Sequence, residues 1–331
     1  MDGGNYHKPG SGSTLSRRKQ EEAPVSFLLG YPDTMWLLRL LTLGNNLLLR
    51  LLGARRRSLR CGEVTLAYTV VGRPDGEPWV LLHGLGSVGA GWSPVMRALR
   101  RDCRLVIPEL SALGGTRAPN DCLGMEQAAE VLARLIETEL GGRPVTLAGL
   151  SLGGWMAVRL ALARPDLVAR LVLIDAGGYR DQDWERIESL VRIDDLAGVD
   201  RLYPALFTRV PWIMKISRPA FLKAYTSPSV CNALDGLREA DTFRDADLAR
   251  LRMPTTLIWG ENDGLFHLGT ARAMAAAVPR ARLDVLPGCG HALHIECPRA
   301  LVAALQRFRR ATADAADAIE PRPALAPVKV E

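Results

Sequence analysis

The sequence predicts an α/β protein with a doubly wound, mostly parallel sheet and an inserted helical cap. Three observations predict it. Short apolar runs of strand length alternate with helical stretches from residue 61 to about 312. That alternation stops between Asp175 and Thr255, where apolar positions at helical spacing continue without a strand candidate. The 331 residues are 48% hydrophobic and 24% charged, enough to bury a large core and to exclude wholesale disorder.

Residues 1–24 are rich in Gly, Ser and charge and lack the apolar run of a cleavable signal peptide. They are expected to be disordered, as is the Ala/Pro-rich tail 313–331. Residues 34–52 are leucine-rich, and Arg39, Thr42, Asn46 and Arg50 recur as a polar stripe along a mostly apolar helix. The helix is too interrupted to span a bilayer. With Arg55, Arg56 and Arg57 following, residues 34–57 read as an anchor on an anionic membrane surface, or else as a helix packed on protein. Residues 1–60 are therefore assigned to a basic leader, in a protein expected to be cytoplasmic and peripheral on the inner membrane surface.

Charge supports that division. The net charge is +6, and residues 1–60 carry ten basic and four acidic side chains, so the rest of the chain is balanced. A balanced body lacks the basic stripe that phosphate binding needs, and no nucleic-acid partner is expected. Six cysteines, at 61, 103, 122, 231, 289 and 297, show no metal-ligand spacing. They point to reduced thiols in a reducing compartment and to no metal.

Strands are expected at 63–71, 79–83, 104–108, 145–149, 170–175, 255–260 and 282–286, and helices at 126–140 and 153–164. The core is thus 61–178 with 251–312, and the cap is 179–250. Its apolar residues, among them Trp184, Tyr203, Phe207, Trp212, Met214 and Phe221, suffice to line an acyl pocket.

The chemistry centres on GLSLG at 149–153, between the strand VTLA and a helical run, which is the setting of a nucleophile elbow. A serine hydroxyl needs a base, and the base needs a carboxylate to fix its tautomer. In the order Ser, acid, His, the candidates for base are His267, His291 and His294. His291 is preferred because it lies in a glycine-flanked loop directly after the strand RLDVL. Asp263, three residues beyond the strand TTLIWG, is the preferred acid, with Asp175 at the end of LVLID the alternative. The amides of Leu85 and Leu152 are placed to hold an oxyanion, while His83 and Gly84 shape the supporting loop.

Together HG at 83–84, GLSLGG at 149–154, WGEND at 259–263 and GCGHALHIECP at 288–298 resemble the α/β-hydrolase family. The resemblance covers residues 61 to about 312. It implies the α/β-hydrolase fold and a serine hydrolase that needs neither cofactor nor metal. The leucine-rich basic leader looks like that of membrane-associated monoacylglycerol lipases, which implies a hydrophobic ester as substrate. Carbon–carbon bond hydrolysis, enol-lactone hydrolysis and perhydrolysis use the same three residues and stay open. The sequence departs from the family after the third strand, where Glu109 and LSALGGT replace the usual Asp-Leu-x-Gly-x-Gly-x-Ser. A dinucleotide-like GLGSVG at 84–89, with Glu109 twenty positions on, suggests an NAD-dependent oxidoreductase by pattern alone. Pro94 then delays the helix such a site requires, and the serine elbow is left without a purpose.

Overall fold

The computed structural model describes residues 43–316 other than 46 and 181. The expectations for residues 1–42, for Asn46 and for 317–331 lie outside the described residues. One sheet holds β1 (Arg55–Cys61), β2 (Val64–Gly72), β3 (Glu77–Leu82), β4 (Cys103–Pro108), β5 (Val145–Leu150), β6 (Val168–Ile174), β7 (Thr255–Gly260) and β8 (Arg282–Leu286). Their order is β1-β2-β4-β3-β5-β6-β7-β8. β1–β2 and β2–β4 pair antiparallel, and every pairing from β4 to β8 is parallel.

The parallel strands are apolar on both faces because helices cover both. α1 (Ser93–Leu99) covers one face, joined by the helix over Pro298–Ala316; Met96, Leu301, Leu305 and Phe308 of these helices, with Trp92 just before α1, pack against Leu81, Leu105 and Ile258. α2 (Met125–Leu140) and α3 (Leu152–Ala163) cover the other. α2 buries Ala128, Leu132, Leu135 and Ile136 along one stripe, and Gly141 ends it in the left-handed conformation.

Between β6 and β7 the chain forms α4 (Trp184–Val191), α5 (Leu196–Leu206), α6 (Trp212–Ile216), α7 (Arg218–Tyr225), α8 (Pro228–Asp235) and α9 (Asp245–Leu248). α10 (Leu268–Ala277), α11 (Leu293–Glu296) and α12 (Pro298–Ala316) follow, and α12 runs past the expected core end at 312, four residues into the tail expected to be disordered from 313. The connection from β3 runs outward to β4, and from β4 the chain crosses back over β3 to β5. Ligands of open parallel sheets collect at the strand carboxyl ends beside such a reversal.

Two expectations need correction. β1 lies in the segment assigned to the leader: RRRSLRC reads as a charge cluster, yet it pairs with β2 along its whole length, so the sheet begins at Arg55. Arg57 reaches the buried Glu139 carboxylate at 2.7 Å, and Arg56 donates to the Gly114 carbonyl. Two of the three arginines read as a lipid contact are therefore engaged by the body. Second, Cys289 and Cys297 form a disulfide, while Cys61, Cys103, Cys122 and Cys231 are free thiols. The short loop between the two cysteines folds back on itself, a closeness that their spacing did not announce. A reducing compartment no longer follows from the cysteines. Among the described residues, no helix is long and apolar enough to cross a membrane.

Candidate active site

Ser151 occupies the single residue between β5 and α3, with φ 54° and ψ −119°. This strain is held from both sides: its N–H donates to Ile174 O at 2.9 Å, and its carbonyl accepts from Gly177 at 3.1 Å. The glycines of GLSLG are required by close approach. A Cβ on Gly153 would lie 2.6 Å from the carbonyl oxygens of Leu82 and His83, so only glycine lets the start of α3 sit this close to β3. Leu152 is the first residue of α3, and its N–H has no partner within the helix.

His291 follows β8, and its Nδ1 lies 2.8 Å from Asp263 Oδ2. Asp263 follows β7, and its other oxygen accepts the N–H groups of Leu265 and Phe266, each at 2.8 Å. The carboxylate therefore holds Nδ1–H toward itself and leaves Nε2 as the available base. The Phe266 ring stands edge-on to the imidazole with centroids 5.1 Å apart. Asp175, the alternative acid, accepts from Gly260 N at 2.8 Å instead. Of the other histidines, His267 is exposed at the start of α10. His294 is half-buried beside Trp92 at the cavity, and desolvation with the neighbouring histidines pulls it down to about 4, so it stays neutral.

Ser151, His291, Leu85, Leu152 and Gly84 line one cavity of about 610 Å³, most of whose wall is apolar. That size suits a small-molecule ligand. From the cap, Trp184, Phe207, Met214 and Phe221 face it, whereas Trp212 points outward and Tyr203 is spent on the cap's own core, its hydroxyl donating to Met214 O at 2.9 Å. His83 lies beneath the cavity floor. Its Nε2 accepts from Leu110 N at 3.0 Å and its Nδ1 donates to Gly84 O at 2.9 Å; burial pulls it down to about 4. It is thus a neutral strut for the loop carrying Leu85.

The dinucleotide-like pattern finds its explanation here. Glu109 turns inward and accepts the Gly89 N–H at 2.9 Å, so the acid closes the loop on itself and is not free to bind a ribose. Asp175, Asp263 and His291 place one ligand-type atom each within 4.8 Å of one another, but the bond between His291 and Asp263 already uses the donors a metal would need. Sequence reasoning missed Glu296. Its carboxylate accepts from Gly290, Thr208 and Arg209 at 2.8, 3.2 and 2.7 Å, tying the His291 loop to the cap. Its place in GCGHALHIECP was the available signal.

A model of the alpha/beta hydrolase family matches residues 79–305. Among curated relatives, the chain is 24% identical over 274 residues to monoacylglycerol lipase ABHD6 of Bos taurus, covering 76% of this chain and 80% of that protein. It is 29% identical over 249 residues to pimeloyl-[acyl-carrier protein] methyl ester esterase of Nitrosomonas europaea, covering 69% and 94%. Among solved structures, a bacterial membrane phospholipase A superposes with a TM-score of 0.73 at 23% identity, over 84% of this chain and 92% of that one.

Proposed function

The chain belongs to the alpha/beta hydrolase family, and on that premise we propose that it cleaves a hydrophobic carboxylic ester, such as a monoacylglycerol, through an acyl-enzyme. The carrying observation is that a strained elbow serine and a carboxylate-held histidine share one apolar cavity. Ser151 Oγ attacks the ester carbonyl while His291 Nε2 takes its proton, and Asp263 stabilises the imidazolium. The Leu85 and Leu152 amides meet the oxyanion, where one donor is worth roughly 10²–10³ in rate. The imidazolium returns the proton to the departing alcohol, and water then releases the acid by the same route.

The apolar wall supports a long acyl group over a charged one. The same reading takes the substrate from a lipid surface. Residues 43–45 and 47–50 are helical, with Leu49 buried against the body and Asn45 at the cavity. Leu43, Leu47 and Leu51, four residues apart, are 63%, 59% and 77% exposed on the opposite side. Ile295 is both exposed and part of the cavity wall. Because Arg56 and Arg57 are engaged, this docking rests more on leucine burial than on attraction to anionic headgroups.

The test is initial hydrolysis rates across esters of two to sixteen acyl carbons, with and without anionic liposomes. Rates that peak at longer chains and rise with liposomes support the reading. Activity confined to short soluble esters refutes it, and no ester turnover at all redirects the search to carbon–carbon and lactone bonds.

A further inference from the structure

Two acids meet behind His291. Asp175 ends β6 and Asp263 follows β7, and pairing of those strands brings their carboxylates together in the interior. Asp175 is fully buried and Asp263 nearly so. Their hydrogen bonds are unequal. Asp263 accepts three: Leu265 N and Phe266 N on one oxygen, His291 Nδ1 on the other. Asp175 accepts one, from Gly260 N on Oδ1, and its buried Oδ2 has no donor.

Two adjacent carboxylates out of contact with water cannot both ionise, so the pair must retain a proton. The acid with three donors is the anion, and the oxygen without a donor is where the proton resides. We infer that Asp175 is a neutral carboxylic acid whose Oδ2–H points to the Asp263 carboxylate, making it a positioning residue for the acid that orients His291. This rests on the role given to Asp263 above.

The arrangement explains two otherwise odd features. A non-glycine residue at φ 41° is uncommon, and aspartate tolerates that region better than most. The conformation serves to turn the side chain back under β7. The orphan Oδ2 also ceases to be an unsatisfied acceptor once it is a donor. Burial, then the Asp263 charge, push the Asp175 carboxyl well above its ordinary range, in the same direction. The proton stays on Asp175 throughout turnover. The hydrogen bond from Asp175 is a fourth contact on the Asp263 carboxylate and fixes it where His291 Nδ1 donates to it.

The test is carbon-13 NMR of aspartate-labelled wild-type protein at neutral pH, with Asp175→Asn and Asp175→Leu assayed for ester hydrolysis beside it. Wild type is expected to show a carboxyl carbon in the protonated range that is missing in Asp175→Asn. Asparagine keeps an N–H for Asp263, so Asp175→Asn should hold kcat/KM within about tenfold, while Asp175→Leu loses roughly 10–100-fold as supporting partners do. If Asp175→Asn does not fold, the wild-type spectrum alone decides. Absence of any protonated aspartate overturns the inference. So does a folded Asp175→Asn as impaired as Asp263→Asn, which would make Asp175 the anion. Should Ser151→Ala remain active, the proposed chemistry fails, but the resonance still decides the state of Asp175.

Discussion

Replacing Glu109 by Gln tests how a buried carboxylate beneath the cavity, on which burial outweighs the Gly89 N–H and the Arg56 charge, shapes stability against pH. Its carboxylate accepts one N–H, from Gly89, and lies 3.6 Å from His83 Nε2. That histidine offers no charge, because the same nitrogen accepts from Leu110 N and burial keeps the ring neutral. Burial therefore dominates and pushes Glu109 from its ordinary 4.5 up to about 7. A raised carboxylate holds its proton longer folded than unfolded, so the contribution of Glu109 to stability is complete below pH 4.5, falls as pH rises through 7, and is flat beyond. At 1.36 kcal/mol per pH unit, with partial ionisation at both ends, the loss between ~pH 5 and ~pH 8 is about 2.5 kcal/mol. Gln keeps an acceptor for Gly89 and removes the titration. Urea unfolding of both proteins at the two pH values should show wild type losing about 2.5 kcal/mol more than the variant. Identical pH dependence in the two proteins would show that Glu109 does not titrate in this range.

Two further outcomes follow from other parts of the molecule. Cys297→Ser opens the eight-residue loop that encloses His291 and should lower stability by about 2.5 kcal/mol in thermal unfolding, with reductant producing the same loss in wild type only. Changing Leu43, Leu47 and Leu51 together to Ser should weaken vesicle binding about a hundredfold or more, as expected if ~3 kcal/mol of apolar burial is lost, and leave soluble-ester hydrolysis unchanged. A fall in soluble activity would show instead that this helix packs on protein.

The fold was legible where burial is uniform. β5 and β7 are buried along their whole length and so read as continuous apolar runs, and α2 reads as a single buried stripe. β1 was not, because an edge strand with arginine on successive positions carries no apolar period and its place is decided by pairing to β2. Ser151, Asp263 and His291 could be proposed because each follows a strand and all must meet at one end of a parallel sheet. The contact between Asp175 and Asp263 depends on the register of β6 against β7, and the Cys289–Cys297 bond on how one loop folds back. Neither leaves a local pattern. The cap was recognisable as helical, but which residues face the cavity was not: Trp212 and Phe221 are equally apolar, and only packing turns one outward.

Ser151 as nucleophile, activated by His291, is the step on which the proposed chemistry depends. Its most direct test is labelling with a fluorophosphonate, followed by mass mapping of the adduct in wild type, Ser151→Ala and His291→Ala. One adduct on Ser151 is expected in wild type, much slower labelling in His291→Ala, and none in Ser151→Ala. An adduct on another residue, or wild-type protein that does not label, would contradict it.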